Sequence, residues 1–178
     1  MSGPKGFNNR VGGKDMFQMM LVISALLCSL VAGFLFAYAI VVMPGLEKLD
    51  DAAFIRAFQV TDRVIQDNQP VFLVVWLGSA VAVIISWVLS FGAFNGLDFF
   101  LMTTALLAYL LGVQVVTVVI HLPLNNRLQQ LDVSSADQGQ LNAARTNFEV
   151  QWNKSNRRRT AVACGVALVL IYMVLRAG

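Results

Sequence analysis

The sequence predicts an all-α membrane protein, a four-transmembrane-helix up-and-down bundle with helical long connections on one side. Its composition is the first reason: of 178 residues, 57% are hydrophobic and 13% are charged, which is not the composition of a soluble globular domain. Its patterning is the second, because long uncharged runs alternate with short polar ones. A helix needs about 20 residues to cross a hydrocarbon core of about 30 Å, and several of these runs are long enough.

Four stretches qualify as membrane spans; the first three have no Asp, Glu, Lys or Arg, and the fourth has none from Thr160 to Leu175. They lie at about residues 16–43, 70–94, 99–122 and 157–176. We predict that they pack as one four-helix transmembrane domain over residues 16–178. Residues 1–15, rich in Gly, Asn and basic side chains, are predicted to form a flexible tail. The first stretch is too long for a signal-peptide core, so we expect it to remain in the mature protein.

The first long connection, between spans one and two, is predicted to contain an amphipathic helix. Asp50 or Asp51 is a suitable N-cap. Phe54 and Phe58 then lie on one face, whereas Asp62 is placed elsewhere, among the charged residues. We expect this helix to lie against the bundle.

The second long connection, between spans three and four, begins where Pro123 is expected to break the third span. Ser134 or Ser135 is expected to start the next helix. From Leu141 to Leu175 the sequence contains no helix breaker except one glycine. We therefore predict that span four is the inner part of one long helix that projects from the membrane.

The distribution of basic residues predicts the orientation in the membrane. Nine Lys or Arg residues lie on the side of the long connections, and four lie on the other side. The nine are Lys48, Arg56, Arg63, Arg127, Arg145, Lys154, Arg157, Arg158 and Arg159. Because cytoplasmic loops carry an excess of Lys and Arg, we expect the long connections to be cytoplasmic.

Several function classes are disfavoured. Cys28 and Cys164 lie inside predicted spans, where a thiol packs as a small apolar group. The sequence has no CxxC or HExxH pattern and one histidine, His121, so we predict no metal site. The net charge of +3 is modest, and its basic residues flank the spans; we therefore predict no nucleic-acid binding.

Polar side chains concentrate in two segments at the membrane edge, residues 120–129 and 152–160. In the second segment, Trp152, Asn156 and Arg159 share one helical face. Both segments lie on the side of the long connections, so their amides and cations can meet at one cleft.

Each of these residue types also has a purely structural explanation. Arg157 and Arg158 are typical interfacial anchors that reach towards lipid phosphates. Trp152 suits the aromatic belt at the headgroup level. His121 can donate to a freed backbone carbonyl, and the asparagines of residues 120–129 are normal in a turn. The pattern alone does not decide between a site and an interface.

The motifs, taken together, resemble those of the anthrone oxygenase (DUF1772) family. The segments are AGFLFAYAIVVMPGL at the end of span one, Phe-Gln and NQP before span two, HLPLNNRL after span three, and W-N-x-x-N-x-x-R-T at the start of span four. They occur in the family's order. The resemblance implies a four-helix membrane fold. It also implies an activity in some members, oxidation of an anthrone by molecular oxygen without a metal or flavin.

The resemblance and the chemistry it requires suggest a set of site residues. A phenolic carbon acid needs a base, hydrogen-bond donors for its oxygen and a dry apolar pocket. The candidate catalytic residues are His121, Asn126 and Asn156. The candidate substrate-binding residues are Gln59, Asn68, Asn125, Trp152, Asn153 and Arg159. We expect no cofactor.

Two functions remain open at this point. One is a membrane-embedded, cofactor-independent oxygenase for a planar hydrophobic phenolic or quinol-type molecule. The other is a non-catalytic membrane subunit, or a lipid- or quinone-binding accessory protein. The expected partners are membrane lipid and a hydrophobic small molecule, with a homo-oligomer or a larger membrane complex left open. The expected location is a bacterial inner (plasma) membrane.

Overall fold

The structure is a computed structural model that describes residues 5–93 and 96–177, with side chains described for 13–91 and 96–177. Every regular element in these ranges is helical. Four helices are long and apolar enough to cross a membrane, which confirms the predicted all-α bundle. Spans one to four lie within the helical stretches Gly13–Leu46, Pro70–Phe91, Leu97–Gln129 and Gln138–Ala177.

Spans one and three each consist of several helical segments, because π-helical turns interrupt the α-helix. The order is α1 (Lys5–Ala37), π1 (Tyr38–Val42), α2 (Met43–Leu46), α3 (Asp51–Gln66), α4 (Pro70–Ala93), α5 (Leu97–Tyr109), π2 (Leu110–Val115), π3 (Thr117–His121), α6 (Leu122–Gln129) and α7 (Gln138–Ala177).

The four spans form a closed ring of neighbours. Helix α1 packs against α4 and α7, and α5 packs against the same two helices. Helix α3, from the first long connection, packs against α6 and α7. The predicted helical connections therefore lie together at one end of the bundle.

Two apolar cores stabilise this arrangement. The bundle core lies between the spans and includes Leu21, Leu35 and Tyr109. The second core, which we call the head cluster, lies where α3 and α6 pack against α7. Its buried members are Met43, Phe54, Ile55, Phe58, Leu124, Leu128, Leu141, Phe148 and Trp152. Apolar side chains on all four spans are also exposed on the outer surface, including Leu26, Val74, Leu111 and Leu168. This outer surface is suited to contact with membrane lipid.

Pro123 does not break span three, contrary to our prediction. The helix continues through the proline to Gln129. A proline removes one backbone hydrogen bond and crowds the preceding turn, and here π3 occupies that preceding turn. Pro44 in span one follows the same pattern, since π1 precedes it. The wider π-helical turns accommodate both prolines without ending the helix.

The predicted cap of α3 is confirmed. Asp50 is the N-cap residue, and its Oδ1 accepts a hydrogen bond of 2.8 Å from the backbone N–H of Ala53. Asp62, however, is buried on the same side as Phe54 and Phe58. The expectation that it lies elsewhere, among the charged residues, was wrong.

Helix α7 begins later than predicted. Ser134 and Ser135 do not start it; their hydroxyls bond the Asp132 carboxylate in a preceding turn. The helix starts with a capping box in which the Asp137 carboxylate accepts from the N–H of Gln140, and the Gln140 side chain accepts from the N–H of Asp137.

The prediction that span four belongs to one long helix is confirmed. Helix α7 has 40 residues, which corresponds to about 60 Å at 1.5 Å per residue. That length is about twice the hydrocarbon thickness, so the first half of α7 projects beyond the bilayer and carries part of the head cluster.

The first residues and the shortest connection are described only in part. Helix α1 extends back to Lys5, which differs from the flexible tail predicted for residues 1–15; residues 1–4 lie outside the described ranges. The short connection between spans two and three was placed at Asn95 to Asp98. Asn95 is also outside the described ranges, and α5 begins at Leu97 after Gly96, whose φ of 68° favours glycine.

Candidate active site

A cavity of about 360 Å³ lies between the bundle core and the head cluster. This volume is within the range of about 300–1,000 Å³ that is typical of small-molecule sites. Six aromatic side chains form much of its wall: Phe34, Tyr38, Phe58, Phe72, Trp76 and Trp152. The polar side chains that line it are Asp62, Gln66, Asn68, Gln114, Thr117, His121, Asn125 and Arg159. The cavity therefore combines flat apolar walls with a few polar contacts.

Arg159 provides a buried cation in this cavity, with 5% of its surface exposed. Its Nη1 donates to Thr117 Oγ1 at 2.8 Å and its Nη2 donates to Asn156 Oδ1 at 2.9 Å. Its Nε has no partner among the described residues, and no described carboxylate forms an ion pair with it. The guanidinium also lies over the ring of Trp76, 5.9 Å from the centroid. A buried arginine without an acidic partner is costly unless an anion joins it.

Asn156 positions this arginine and does not line the cavity. It is almost completely buried, and its Nδ2 donates to the backbone carbonyl of Leu35 at 3.2 Å. Its Oδ1 is occupied by Arg159. Asn156 thus fixes the guanidinium against span one, which differs from the direct contact expected of a catalytic donor.

His121 lines the same cavity and is 2% exposed. Its Nε2 lies 3.0 Å from Ser155 Oγ, and its ring meets the Trp152 ring edge to face at 5.1 Å. Its Nδ1 is buried and has no partner in the described part of the chain. If Nε2 carries the proton and donates to Ser155, Nδ1 keeps a free lone pair that can accept a proton.

Asn125 connects the fourth span to α3. Its Oδ1 accepts from Trp152 Nε1 at 3.0 Å, and its Nδ2 donates to Asp62 Oδ1 at 2.7 Å. We expected Asn125 or Asn126 to reach the helix that carries residues 152–159, and Asn125 does so. Trp152 is therefore held in the cavity wall by a hydrogen bond, rather than standing in a lipid-facing belt.

Asp62 is the polar lining residue that the sequence analysis missed as a site residue. It is 5% exposed. Besides Asn125, two further amides bond its carboxylate: Gln66 at 2.6 Å and Gln129 at 3.0 Å, both on Oδ2. Burial raises the pKa of Asp62 above its ordinary value, and the three amide hydrogen bonds oppose this rise. The spacing of four residues from Phe54 to Phe58 to Asp62 was a signal that this side chain faces inward.

Asn68 and Asn126, two further predicted site residues, differ in their position relative to the cavity. Asn68 lines the cavity, in a turn where its φ of 61° suits an asparagine. Asn126 is exposed and accepts a long hydrogen bond of 3.3 Å from Gln66. Because α6 remains helical through Pro123, Asn125 and Asn126 point about 100° apart, so only one faces the cavity. The proposed catalytic contact of Asn126 is therefore not supported by its position.

Gln59 and Asn153 also lie outside this cavity. Gln59 donates to the carbonyls of Leu128 and Leu131, at 2.7 and 2.9 Å, and so attaches α3 to the end of α6. Asn153 lines a separate open cleft on the other side of α7. Both were expected to bind substrate, but their contacts are those of residues that hold helices together or face water.

The fold and cavity define a class: a four-helix membrane protein whose bundle encloses a cavity lined by aromatic side chains and by buried polar and charged ones. A family model described as Anthrone oxygenase matches residues 63–169. The match covers more than half of the chain, and the chain belongs to the anthrone oxygenase family. The resemblance noted in the motifs is thereby confirmed. No curated protein and no solved structure matches the chain. The matched region includes His121, Asn125, Asn156 and Arg159, whereas Asp62 lies just before it.

Proposed function

We propose that this protein is a membrane-embedded, cofactor-independent oxygenase that oxidises a planar hydrophobic phenol or quinol with molecular oxygen. One observation carries the proposal. Among the described residues, a buried arginine has no acidic partner and a buried imidazole has one unpaired nitrogen, and both side chains line one aromatic cavity. An aromatic anion would supply the negative charge that Arg159 needs, and its rings would stack against the aromatic walls.

The proposed chemistry requires one proton acceptor and one group that stabilises negative charge. His121 Nδ1 takes a proton from the acidic carbon of the substrate, and the electron pair left behind is delocalised onto the substrate oxygen beside Arg159. This electron-rich anion transfers an electron to oxygen, and the resulting radical pair joins to form the carbon–oxygen bond of a peroxide, which takes the proton back from His121. Loss of water then gives the quinone. One oxygen molecule is consumed, a CH₂ group becomes C=O, and one water is released.

The substrate would reach the cavity from the lipid. Three apolar side chains that line the cavity, Leu77, Val118 and Leu122, are also exposed on the outer surface of the spans. They form an apolar rim between spans two and three. A flat hydrophobic molecule dissolved in the membrane can enter there without crossing water. Exclusion of water from the cavity would also strengthen the interaction of Arg159 with the anion.

Oxygen uptake by purified protein in detergent tests this function. The substrate is dithranol, an anthrone with two phenolic hydroxyls, and a chelator is present throughout. We expect uptake above the buffer rate, with one quinone formed per oxygen consumed. His121→Ala and Arg159→Gln should each lower the rate about a hundredfold. Arg158→Gln is the matched control, because Arg158 is an exposed neighbour.

The control variant should retain the wild-type rate. If wild-type protein consumes oxygen no faster than buffer, or if Arg159→Gln behaves like Arg158→Gln, the oxygenase proposal is wrong. A protein that binds dithranol without oxygen uptake would instead fit a binding protein.

A further inference from the structure

The carboxylate of Asp62 is held in the cavity wall in a way that leaves room for one more donor. A carboxylate has about four lone-pair sites for hydrogen bonds. Asn125 occupies one site on Oδ1, and Gln66 and Gln129 occupy two on Oδ2. No described Lys, Arg or His forms an ion pair with this carboxylate. Among the described residues, Asp62 Oδ1 therefore accepts one hydrogen bond, from Asn125, and has a second lone pair that can accept another.

Asp62 and Arg159 both line the cavity, and their connections to α7 are at different levels of that helix. Asp62 is linked through Asn125 to Trp152, which precedes Arg159 by seven residues on α7. At 1.5 Å per residue, seven residues of α-helix correspond to roughly 10 Å. Two contacts at these two levels of α7 suit a flat molecule with three fused rings, whose long axis is comparable to this rise.

We propose that Asp62 accepts a hydrogen bond from a phenolic hydroxyl at the end of the substrate remote from Arg159. The substrate is then a fused aromatic molecule with oxygen substituents at both ends: one, as an anion, on the guanidinium and the other, as a hydroxyl, on the carboxylate. The ligand class rests on the function proposed above, whereas the contact itself rests on the position and unfilled acceptor of Asp62.

The same carboxylate also has a structural role, since it joins α3 to Asn125 and Gln129 on α6. A test must therefore separate loss of a ligand contact from general damage to the cavity. The ratio of two affinities does this. Damage to the cavity weakens two similar ligands alike, whereas loss of the hydroxyl contact weakens only the ligand that uses it.

The two probes are anthraquinones that cannot undergo the proposed oxidation. Anthraflavic acid has one phenolic hydroxyl on each outer ring, and its monohydroxy analogue has such a hydroxyl on one ring only. Binding is measured in detergent by quenching of tryptophan fluorescence, since Trp76 and Trp152 line the cavity. Wild-type protein should bind anthraflavic acid about tenfold or more tightly than the analogue, as expected for a hydrogen bond to a charged group.

In Asp62→Asn the ratio should fall towards two, the value that the symmetry of anthraflavic acid alone produces, because an amide oxygen accepts a weaker hydrogen bond than a carboxylate does. Gln129→Leu is the matched control, because it removes one amide of the network but keeps the carboxylate, and Gln129 does not line the cavity. Its ratio should remain that of wild type. The proposal is overturned if Asp62→Asn keeps the wild-type ratio, or if Gln129→Leu loses it equally.

Wild-type protein alone also provides a test if Asp62→Asn does not fold. Equal affinity of the wild type for the two probes, apart from the symmetry factor, would overturn the Asp62 contact. Failure of the oxygenase function has a different signature. In that case wild-type protein would consume no oxygen with dithranol, yet would still discriminate between the two anthraquinones.

Discussion

Replacing Asn156 by alanine tests whether the Arg159 guanidinium must be held in place. Asn156 makes two buried hydrogen bonds, one to Arg159 Nη2 and one to the carbonyl of Leu35. A hydrogen bond to a charged group contributes about 1.5–3 kcal/mol, and a neutral one contributes about 0.5–1.5 kcal/mol. We therefore expect the free energy of unfolding to fall by about 2–4 kcal/mol.

The loss of Asn156 should also affect binding in a charge-dependent way. Arg159 Nε already lacks a partner among the described residues. Without Asn156, the guanidinium keeps its hydrogen bond to Thr117 and its contact with the Trp76 ring among the described residues, and it is free to turn away from the cavity. Affinity for an ionised hydroxyanthraquinone should fall about tenfold to a hundredfold, whereas affinity for uncharged anthraquinone should stay near the wild-type value. Binding is measured by tryptophan fluorescence and stability by thermal unfolding in detergent.

Asn153→Ala is the matched control for this experiment. Asn153 is also an asparagine of α7, three residues before Asn156, but it lines the separate open cleft on the other side of α7. It should change neither stability nor binding by a measurable amount. If Asn156→Ala and Asn153→Ala give the same results, or if charged and uncharged probes are weakened alike, our reasoning about the positioning of Arg159 is refuted.

Three further predictions concern stability. Trp152→Phe keeps an aromatic ring but removes the donor to Asn125, so the free energy of unfolding in a denaturant titration should fall by about 1 kcal/mol; unchanged stability would mean that this bond contributes nothing. Asp62 has a pKa raised above its ordinary 3.8, so the folded state binds more protons than the unfolded state just above that pH. The melting temperature of the wild type should therefore decrease as pH rises through this window, and Asp62→Asn should flatten the slope; equal slopes would contradict the prediction. Asp137→Ala removes the cap of α7 at a cost of about 1 kcal/mol, so amide hydrogen exchange in its first turn should become about fivefold faster. Unchanged exchange there would show that the capping box is not needed.

The membrane fold was predictable because it depends on length and hydropathy. A run of apolar residues without charges has few alternatives to a spanning helix. The long helix α7 was predictable for a similar reason, since nothing in its sequence stops a helix. Its first residue was not found, although Asp137 and Gln140 have the spacing of a capping box. Nearby Ser134 and Ser135 are equally good caps by residue type, and their hydroxyls serve the turn at Asp132 instead.

The candidate site was predictable only in part, because it depends on how the chain passes through Pro123. A broken helix would have let both Asn125 and Asn126 turn towards span four. The π-helical turn before the proline keeps the helix intact, and a continuous helix can direct only one of two adjacent side chains inward. Asp62 was missed for a different reason. A charged residue on an amphipathic helix is usually solvated, and its burial depends on the amides of α6, which are distant in sequence.

A structure of the protein with bound anthraflavic acid tests the central claim most directly. We predict that the three rings occupy the cavity between Trp76 and Trp152, with one oxygen on the Arg159 guanidinium and the opposite hydroxyl on the Asp62 carboxylate. The same ligand should be absent from this cavity in Arg159→Gln. A ligand found on the lipid-facing surface, or one that occupies the cavity equally in wild type and Arg159→Gln, would contradict our assignment of this cavity as the active site.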